Sequence, residues 1–332
     1  MTPVALVLHY GTSAGDVTVF VVSAAALVPL AWLIGESTEQ LAEHTGPGIG
    51  GFLNATFGNA PELIVALIAI HQGLFEVVRG SITGSVVSNL LLVFGLTMVT
   101  ATGSESVDRK SLVPQLATIV FAALLFLIPG VPGWNGNPNR HTLMVASVPI
   151  AAVLLAVYVA TNVAGLRRHS AMDRKEARAG SWRIEWALVA LGIGAVATAF
   201  VSEALVDALT GFGKAVGLSQ FFVAVVIVAL VGNAAEHGGA IVVATRGKFQ
   251  LASEIAITSS AQVAVFVAPA VMLLSLLSVH HLTLAFRPVE LATIGLATAV
   301  VVTIVLVGRT TRREGFALVA AYAAAVVAYG FS

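Results

Sequence analysis

Two short runs contain the residues of this sequence that are best suited to chemistry. Gly58-Asn59-Ala60-Pro61-Glu62 recurs 174 residues later as Gly232-Asn233-Ala234-Ala235-Glu236. In each copy the asparagine precedes the glutamate by three residues, so a helix places the amide and the carboxylate on one face. The same 174-residue offset relates further polar residues, Ser85 to Ser259 and Ser88 to Gln262. A match of this length without insertion or deletion indicates an internal repeat.

The repeated side chains offer only oxygen donors. The predicted ligands are the two carboxylates and the neighbouring amides and hydroxyls, namely Glu62, Glu236, Asn59, Asn233, Ser85, Ser259 and Gln262. Hard cations such as Ca²⁺ prefer oxygen ligands, and two carboxylates match the charge of Ca²⁺. Mn²⁺ is also compatible, whereas Zn²⁺ or Cu⁺ would favour nitrogen or sulfur, and the chain has no cysteine. We therefore expect a site for a hard divalent cation.

Two positions make the copies unequal. Pro61 lacks an N–H group, so the carbonyl of Phe57 loses its helical partner and the helix is expected to kink. The freed carbonyl could bind a cation, or the kink could serve helix packing alone. The second copy has Ala235 in that place. His237 follows the second glutamate where the first copy has Leu63. This histidine could transfer protons near neutral pH, or it could be a neutral imidazole held by hydrogen bonds.

The composition places these residues in a membrane. Hydrophobic residues make up 58% of the 332 residues and charged residues only 10%, against about 25% in a typical soluble domain. The balance of 17 basic and 17 acidic residues does not indicate a nucleic-acid surface. Spans need about 20 apolar residues, and ten such segments are found. They lie at 17–42, 48–71, 77–101, 111–130, 141–165, 184–208, 217–245, 252–278, 288–308 and 313–330.

The loops between these spans set the orientation. One set of alternate loops contains 13 lysines and arginines and the other set contains four, so the first set is predicted to be cytoplasmic. Five spans separate the two motifs, and because five is an odd number the halves insert in opposite orientation. We expect an all-α polytopic membrane protein of 10–11 transmembrane helices in two inverted five-helix repeats. Residues 1–16 are predicted to be a short N-terminal segment that could be a partial first helix. The first five-helix repeat is predicted at 17–165, a basic cytoplasmic linker at 166–183 and the second repeat at 184–330.

The two motif glutamates lie deep inside their spans. A charged residue at a helix centre costs about 2.5–3.5 kcal/mol on insertion scales. No lysine or arginine is predicted near the middle of a span, so Glu62 and Glu236 must be protonated or face a cation. Alternation between these states would be the cycle of an exchanger, and inverted repeats are typical of transporters. Helix packing alone would explain the small residues of the motifs but not the repeated carboxylate.

Further acidic residues lie toward the two membrane faces. Glu36, Glu39 and Glu43 share one helix face near the cytoplasmic side, where they could attract cations or mark a solvated helix end. Glu203 and Asp207 occupy a comparable position on the outer side in the other half. We assign Glu36 and Glu203 to candidate access paths.

Several enzyme classes are excluded by missing motifs. The sequence has no Walker A motif, no His-Glu-x-x-His zinc motif and no histidine suitably paired with the repeated serines. ATP therefore does not drive transport within this chain. We expect a transporter and not an enzyme, with Ca²⁺ as transported substrate and no resident cofactor.

At this point the sequence resembles a known family, the cation/proton exchanger (CAX) family of Ca²⁺/H⁺ antiporters. The resemblance is carried by both motifs and by the runs around them, at 53–57, 58–64, 88–92, 232–237 and 262–269. It implies eleven helices, arranged as one plus five plus five, and exchange of Ca²⁺ for protons at Glu62 and Glu236. Asn59, Asn233, Ser85, Ser259 and Gln262 would then hold the ion or its waters.

Three features depart from the family pattern. Residues 1–11 are too short for the first family helix to span the membrane, and the central loop is basic where many members have an acidic helix. Thr258 precedes Ser259 where the family usually has glycine, which could narrow the second half-site. We predict Ca²⁺/H⁺ antiport by alternating access in a multi-pass protein of a prokaryotic cytoplasmic membrane. Na⁺-coupled exchange and a passive cation channel are the alternatives, and the sequence leaves the oligomeric state open.

Overall fold

The fold is described by a computed structural model that covers residues 1–101, 105–169 and 182–331. Most of the basic linker predicted at 166–183 lies outside the described residues. The chain forms fifteen helices in the described part, which we number in order: α1 Thr2–Gly11, α2 Asp16–Phe57, α3 Ala60–His71, α4 Phe75–Val87, α5 Phe94–Thr100, α6 Arg109–Gly133, α7 His141–His169, α8 Ile184–Val216, α9 Gln220–Phe222, α10 Ala229–Gly232, α11 Ala234–Thr245, α12 Phe249–Gln262, α13 Ala268–Ser275, α14 Pro288–Val307 and α15 Arg312–Gly330.

Three π-helical turns join some of these helices, at Ser88–Val93, Val223–Val228 and Val263–Val267. Two strands of two residues each, β1 Glu105–Ser106 and β2 Arg309–Thr310, pair antiparallel. They connect the loop after α5 to the loop after α14, on the face that carries Arg109, Lys110, Arg309, Arg312 and Arg313. We call this face the basic side and the other face the opposite side.

The helices agree with the predicted membrane architecture. In the described part of the chain, seven helices or helix series are long and apolar enough to cross a membrane, or eight when the pair Gln220–Gly232 and Ala234–Thr245 counts as one span bent by 58°. The short apolar helix α3 and the last helix α15 occupy the two remaining predicted segments. The protein is therefore an all-α multi-pass membrane protein, with the β1–β2 pair as a minor addition.

One predicted boundary is wrong. The run Gly46-Pro47-Gly48 was expected to separate the first two spans, but α2 is helical from Asp16 to Phe57. A proline removes only one helical hydrogen bond, and its neighbours can compensate inside a protein. At about 1.5 Å per residue the 42 residues of α2 measure roughly 63 Å, twice a bilayer core. Helix α2 thus contains the first predicted span and the start of the second, and the break lies at Gly58-Asn59.

Equivalent elements of the two halves keep the 174-residue offset. Helix α3 begins at Ala60 and α11 at Ala234, and both have 12 residues. The preceding residues have almost the same backbone angles, with φ −88° and ψ 13° at Asn59 and φ −91° and ψ 11° at Asn233. Proline is therefore not needed for the break, because Ala235 follows the same bend. Pro61 lies in the first turn of α3, where the missing N–H group costs little.

Helix α1 settles the nature of the N-terminal segment. Residues Thr2–Gly11 are helical, but ten residues extend only about 15 Å, which is half the thickness of a bilayer core. The helix packs on α2 and α8, and its Ala5 is fully buried. It is thus a short helix docked on the membrane-spanning part.

Two backbones meet closely where the halves join. A Cβ atom added to Gly84 in α4 would lie 1.9 Å from the carbonyl oxygen of Val225 and 2.6 Å from Cβ of Ala229. Only glycine fits at this contact. Helix α4 of the first half is therefore in backbone contact with the helix that leads to the second motif.

Candidate cation-binding site

The breaks at Asn59 and Asn233 bring the two motifs together in the centre of the protein. A Cβ atom on Gly232 would lie 3.6 Å from Oε1 of Glu62, and the charges of Glu62 and Glu236 are close enough to interact. Each glutamate lies in the first turn of its helix, α3 or α11. The N-terminal end of a helix carries partial positive charge, which favours a carboxylate there. Glu62 of the first motif thus lies against the second motif, which carries Glu236.

The asparagines of the motifs bind helices from the other half. Asn59 donates from Nδ2 to Oε1 of Gln262 at 2.9 Å. Asn233 donates from Nδ2 to Oγ of Ser85 at 2.7 Å and to the carbonyl of Ala229 at 2.9 Å. Both asparagines are fully or almost fully buried. Four of the predicted ligands are therefore paired across the interface between the repeats.

Asn89 is a site residue that our sequence reasoning missed. It is fully buried and donates from Nδ2 to Oγ of Ser259 at 3.0 Å and to Oδ1 of Asn233 at 3.4 Å. Its counterpart in the second half is Val263, so the repeat pattern gave no signal for it. Asn89 lies in the π-helical turn Ser88–Val93, and such turns are frequent at functional sites.

The two glutamates differ in their hydrogen bonds. Ser259 donates a short hydrogen bond to Oε2 of Glu236. Both carboxylate oxygens of Glu62 are buried, and neither has a hydrogen-bond partner among the described residues. An unpaired buried carboxylate is unfavourable, so a proton or a cation is needed to stabilise Glu62.

The glutamates also line different pockets. Glu62 lines a narrow pocket whose other walls come from α4, α10 and the π-helical turns, among them Ser81, Ile82 and Ser85. Glu236 lines a second and wider pocket with Ser259, Gln262, Thr258 and Glu254. Helix α12, which carries the last four, begins just after Lys248 on the basic side. Thr258, which was expected to narrow the second half-site, therefore lines this pocket, and Glu254 is a further acidic residue that the sequence reasoning did not select.

Two further predicted residues, Phe57 and His237, lie next to the motifs in the chain. Phe57 is the last residue of α2, directly before the break, and its side chain is 40% exposed. His237 is buried, and its Nε2 has no hydrogen-bond partner among the described residues.

The described residues contain no group of three or more His, Cys, Asp or Glu side chains that could hold a metal ion. A cation in the centre would thus bind to two carboxylates and to neutral amide, hydroxyl and carbonyl oxygens. This donor set is suited to a hard divalent cation.

A family model matches most of the chain. The model described as sodium/calcium exchanger protein matches residues 16–164 and 186–330, which include both motifs. The chain belongs to this family. Its two matched blocks correspond to the two halves that carry the repeated motif.

Characterised relatives of this family member are similar over nearly its whole length. It is 36% identical over 326 residues to the Ca²⁺/H⁺ antiporter ChaA of Bacillus subtilis, with 94% of this chain and 91% of the relative covered. It is 32% identical over 354 residues to a Ca²⁺/H⁺ antiporter of Aphanothece halophytica, covering 99% and 94%. The solved structure of native YfkE superposes with a TM-score of 0.84 at 31% identity and covers 100% of this chain and 97% of its own.

Three acidic residues of α2, Glu36, Glu39 and Glu43, lie toward the basic side of this family member. Glu36 follows Gly35, a wall residue of that pocket, and its Oε1 accepts a hydrogen bond from Gln40 at 2.9 Å. Glu39 and Glu43 are exposed as expected, but they lie inside α2, which continues to Phe57, and not at a helix end. The structure thus brings Glu36 near the pocket and leaves the other two at the surface.

On the opposite side, the acidic residues contact α1. Glu203 accepts a hydrogen bond from the hydroxyl of Tyr10 at 2.6 Å, and Asp207 lies 3.2 Å from Nε2 of His9. Glu203 also lines a third pocket between α3 and α8, together with His71. The contacts with α1 were not predicted, because His9 and Tyr10 belong to no repeated motif.

A buried charged cluster also lies toward the opposite side. Arg79, near the start of the predicted span 77–101, is 2% exposed in α4 and donates from Nη1 to Oδ1 of Asn139 at 2.9 Å. Its charge interacts with that of Glu290, which is fully buried in the first turn of α14. The repeat has no charged pair in the equivalent place, because Arg79 corresponds to Ser253 and Glu290 to Leu116.

Proposed function

We propose that the protein is a secondary active transporter that exchanges Ca²⁺ for H⁺ by alternating access. The observation that carries the proposal is the meeting of Glu62 and Glu236, one from each inverted half, among neutral oxygen donors. The relatives described as Ca²⁺/H⁺ antiporters support the choice of ions. Two carboxylates neutralised either by two protons or by one Ca²⁺ give a site that is never left with uncompensated charge in the membrane.

The proposed ligands follow from this centre. Ca²⁺ would bind the two carboxylates and recruit oxygens from Asn59, Asn233, Ser85, Ser259 and Gln262, with the carbonyl of Phe57 as a further donor. Several of these oxygens are paired with each other in the structure, as in Asn59–Gln262 and Asn233–Ser85. Binding would therefore replace protein–protein hydrogen bonds by bonds to the cation. Mn²⁺ is a second substrate of the same class, and no resident cofactor is required.

Protons would use the same carboxylates. Release of Ca²⁺ leaves Glu62 without a partner among the described residues, so protonation is the way to stabilise it in the same place. His237, next to Glu236 and buried, is our candidate to transfer protons to the second glutamate. Competition between Ca²⁺ and protons would couple the two fluxes.

Two helices have the position needed for alternating access. Helices α2 and α8 pack along each other. Gly35 of α2 borders the pocket at Glu236 on the basic side, and residues of α8 border the pocket on the opposite side. A shift of α2 and α8 relative to the other helices would change which pocket reaches the glutamates. Glu36 and Glu203, on these two helices, would be the acidic residues of the two access paths.

The remaining assignments concern placement and division of the chain. The protein would operate in a prokaryotic cytoplasmic membrane with its basic side in the cytoplasm. Its repeats would be residues 17–165 and 184–330, preceded by the segment 1–16 and connected by the basic linker 166–183.

The decisive experiment is ⁴⁵Ca²⁺ uptake into inverted membrane vesicles driven by a pH gradient. The wild type should accumulate Ca²⁺, whereas Glu62→Gln and Glu236→Gln should each lose at least about 100-fold in uptake rate, because a charge-bearing ligand worth roughly 3 kcal/mol is removed. Glu39→Gln is the matched control, since it makes the same change at an exposed position. Unchanged uptake in either site variant contradicts the proposed site.

The same vesicles separate the other transport modes. An exchanger dissipates a preset pH gradient only when Ca²⁺ is added, whereas a passive channel passes Ca²⁺ down its own gradient without a pH gradient. Replacement of Na⁺ by choline should leave uptake unchanged. Uptake that depends on Na⁺ would show sodium coupling and would overturn the proton assignment.

A further inference from the structure

Tyr158 of α7 connects the first motif to the other half of the protein. Its hydroxyl lies 3.0 Å from Oγ1 of Thr56, three residues before Asn59. Its ring stacks on Phe266, with ring centres 4.6 Å apart and an angle of 20° between the planes. Tyr158 is 3% exposed, so both contacts are shielded from solvent and lipid.

A second connection runs parallel to this one. Asn59 donates to Gln262 at 2.9 Å, and Gln262 precedes Phe266 by four residues. Residues four apart lie on one face of a helix, although the π-helical turn at Val263–Val267 changes the local geometry. The segment from Thr56 to Asn59 is thus attached at both ends to the same stretch of the second half. Glu62 comes three residues after Asn59, in the first turn of α3.

In the described part of the chain, the position equivalent to Thr56 has no such bond to a tyrosine. The counterpart of Thr56 is Leu230, which has no hydroxyl group. Asn233 is held by Ser85 and Asn89 instead. The Tyr158 connection is therefore specific to the half-site in which Glu62 has no hydrogen-bond partner among the described residues.

We infer that Tyr158 is a positioning residue for the first half-site, and this inference rests on the proposed function. Through Thr56 it fixes the end of α2 and hence the directions in which Asn59 and Glu62 leave the break. It does not touch the ion. Because the ligands of this half-site hold Ca²⁺ in the bound state, loss of the Tyr158–Thr56 bond should raise the KM for Ca²⁺ with little change in kcat.

The experiment is a double-mutant cycle on purified protein in proteoliposomes. Tyr158→Phe keeps the ring and its stacking but removes the hydroxyl, and Thr56→Val keeps the shape but removes Oγ1. Each should raise the KM for Ca²⁺ about 3- to 10-fold, the range expected for one buried neutral hydrogen bond, with kcat within about twofold. The double variant should be no worse than the single variants, because both remove the same bond.

Two controls separate positioning from general stability. Tyr322→Phe removes another buried tyrosine hydroxyl, one without a hydrogen-bond partner among the described residues, and should leave the KM unchanged. Thr56→Ser retains the hydroxyl and should retain the wild-type KM. If Tyr158→Phe lowers the melting temperature and kcat but not the KM, or if the two substitutions act additively, the positioning role is wrong.

A binding measurement distinguishes this inference from the proposed function. Equilibrium binding of ⁴⁵Ca²⁺ to the detergent-purified protein needs no proton gradient. If the wild type binds Ca²⁺ but does not exchange it for protons, the proposed function fails while the effect of Tyr158→Phe on affinity is still measured. If exchange is normal and Tyr158→Phe leaves both the KM and the binding affinity unchanged, only the inference fails.

Discussion

The two half-sites have nearly the same sequence and backbone but different surroundings. Asn59 and Asn233 share their backbone angles within 3°. Glu62, however, lies in a narrow pocket without a hydrogen-bond partner among the described residues, whereas Glu236 is bound by Ser259 and borders the pocket toward the basic side. A repeated motif therefore specifies which side chains line a site but not how exposed those side chains are. Exposure is set by the helices packed on each motif, which is the condition for access from one side at a time.

The largest expected difference between the half-sites is chemical accessibility. The chain contains no cysteine, so single cysteines can be introduced without any background. Thr258→Cys, in the pocket at Glu236, should react with a charged thiol reagent added on the basic side at least about 100-fold faster than Ile82→Cys, in the pocket at Glu62, because thiol reactivity requires access. Labelling rates measured by mass spectrometry test this.

A control from the third pocket completes the labelling experiment. Ala199→Cys lies in the pocket between α3 and α8 and should react only from the opposite side. Equal rates at Thr258→Cys and Ile82→Cys would remove the distinction between a closed and an accessible half-site.

A smaller difference is expected for the paired serines. Ser259→Ala removes the hydroxyl that donates to Glu236, and Ser85→Ala removes one that accepts from neutral Asn233. Hydrogen bonds to charged groups contribute more than neutral ones, so we expect the KM for Ca²⁺ to rise about 10-fold or more for Ser259→Ala and about 3- to 5-fold for Ser85→Ala. Initial rates of ⁴⁵Ca²⁺ uptake against Ca²⁺ concentration measure both. The reverse order would show that the half-site at Glu62 contributes more to affinity.

The smallest effect is expected at His237. His237→Leu makes the second motif match Leu63 of the first. If the imidazole transfers protons to Glu236, uptake should fall about 3-fold near neutral pH, and its dependence on pH should change while the binding affinity for Ca²⁺ is retained. Proton release followed by a pH-sensitive dye, beside binding of ⁴⁵Ca²⁺, provides the comparison. A lowered affinity with an unchanged pH profile would assign His237 to packing instead.

Much of the centre could be predicted from the sequence because it lies in the repeat. The 174-residue offset relates α3 to α11 and the break at Asn59 to the break at Asn233, as the structure has them. Other parts depend on tertiary contacts that have no local signal. Asn89 faces the site from a π-helical turn and has a valine as its counterpart, and Tyr158 reaches Thr56 from 102 residues away. The break expected at Gly46-Pro47-Gly48 does not occur, because α2 continues through these residues despite their local preference for a turn.

The close contact at Gly84 has a consequence for how freely the halves could be exchanged. Its counterpart is Thr258, which borders the accessible pocket, where a side chain fits. A chain assembled from two copies of the second half would place a threonine at the contact with Val225, where even one methyl group collides with the backbone. The first half, by contrast, could supply a glycine at position 258 without collision. At this position, therefore, the two halves can replace each other in one direction only, and a symmetric design needs glycine at both 84 and 258.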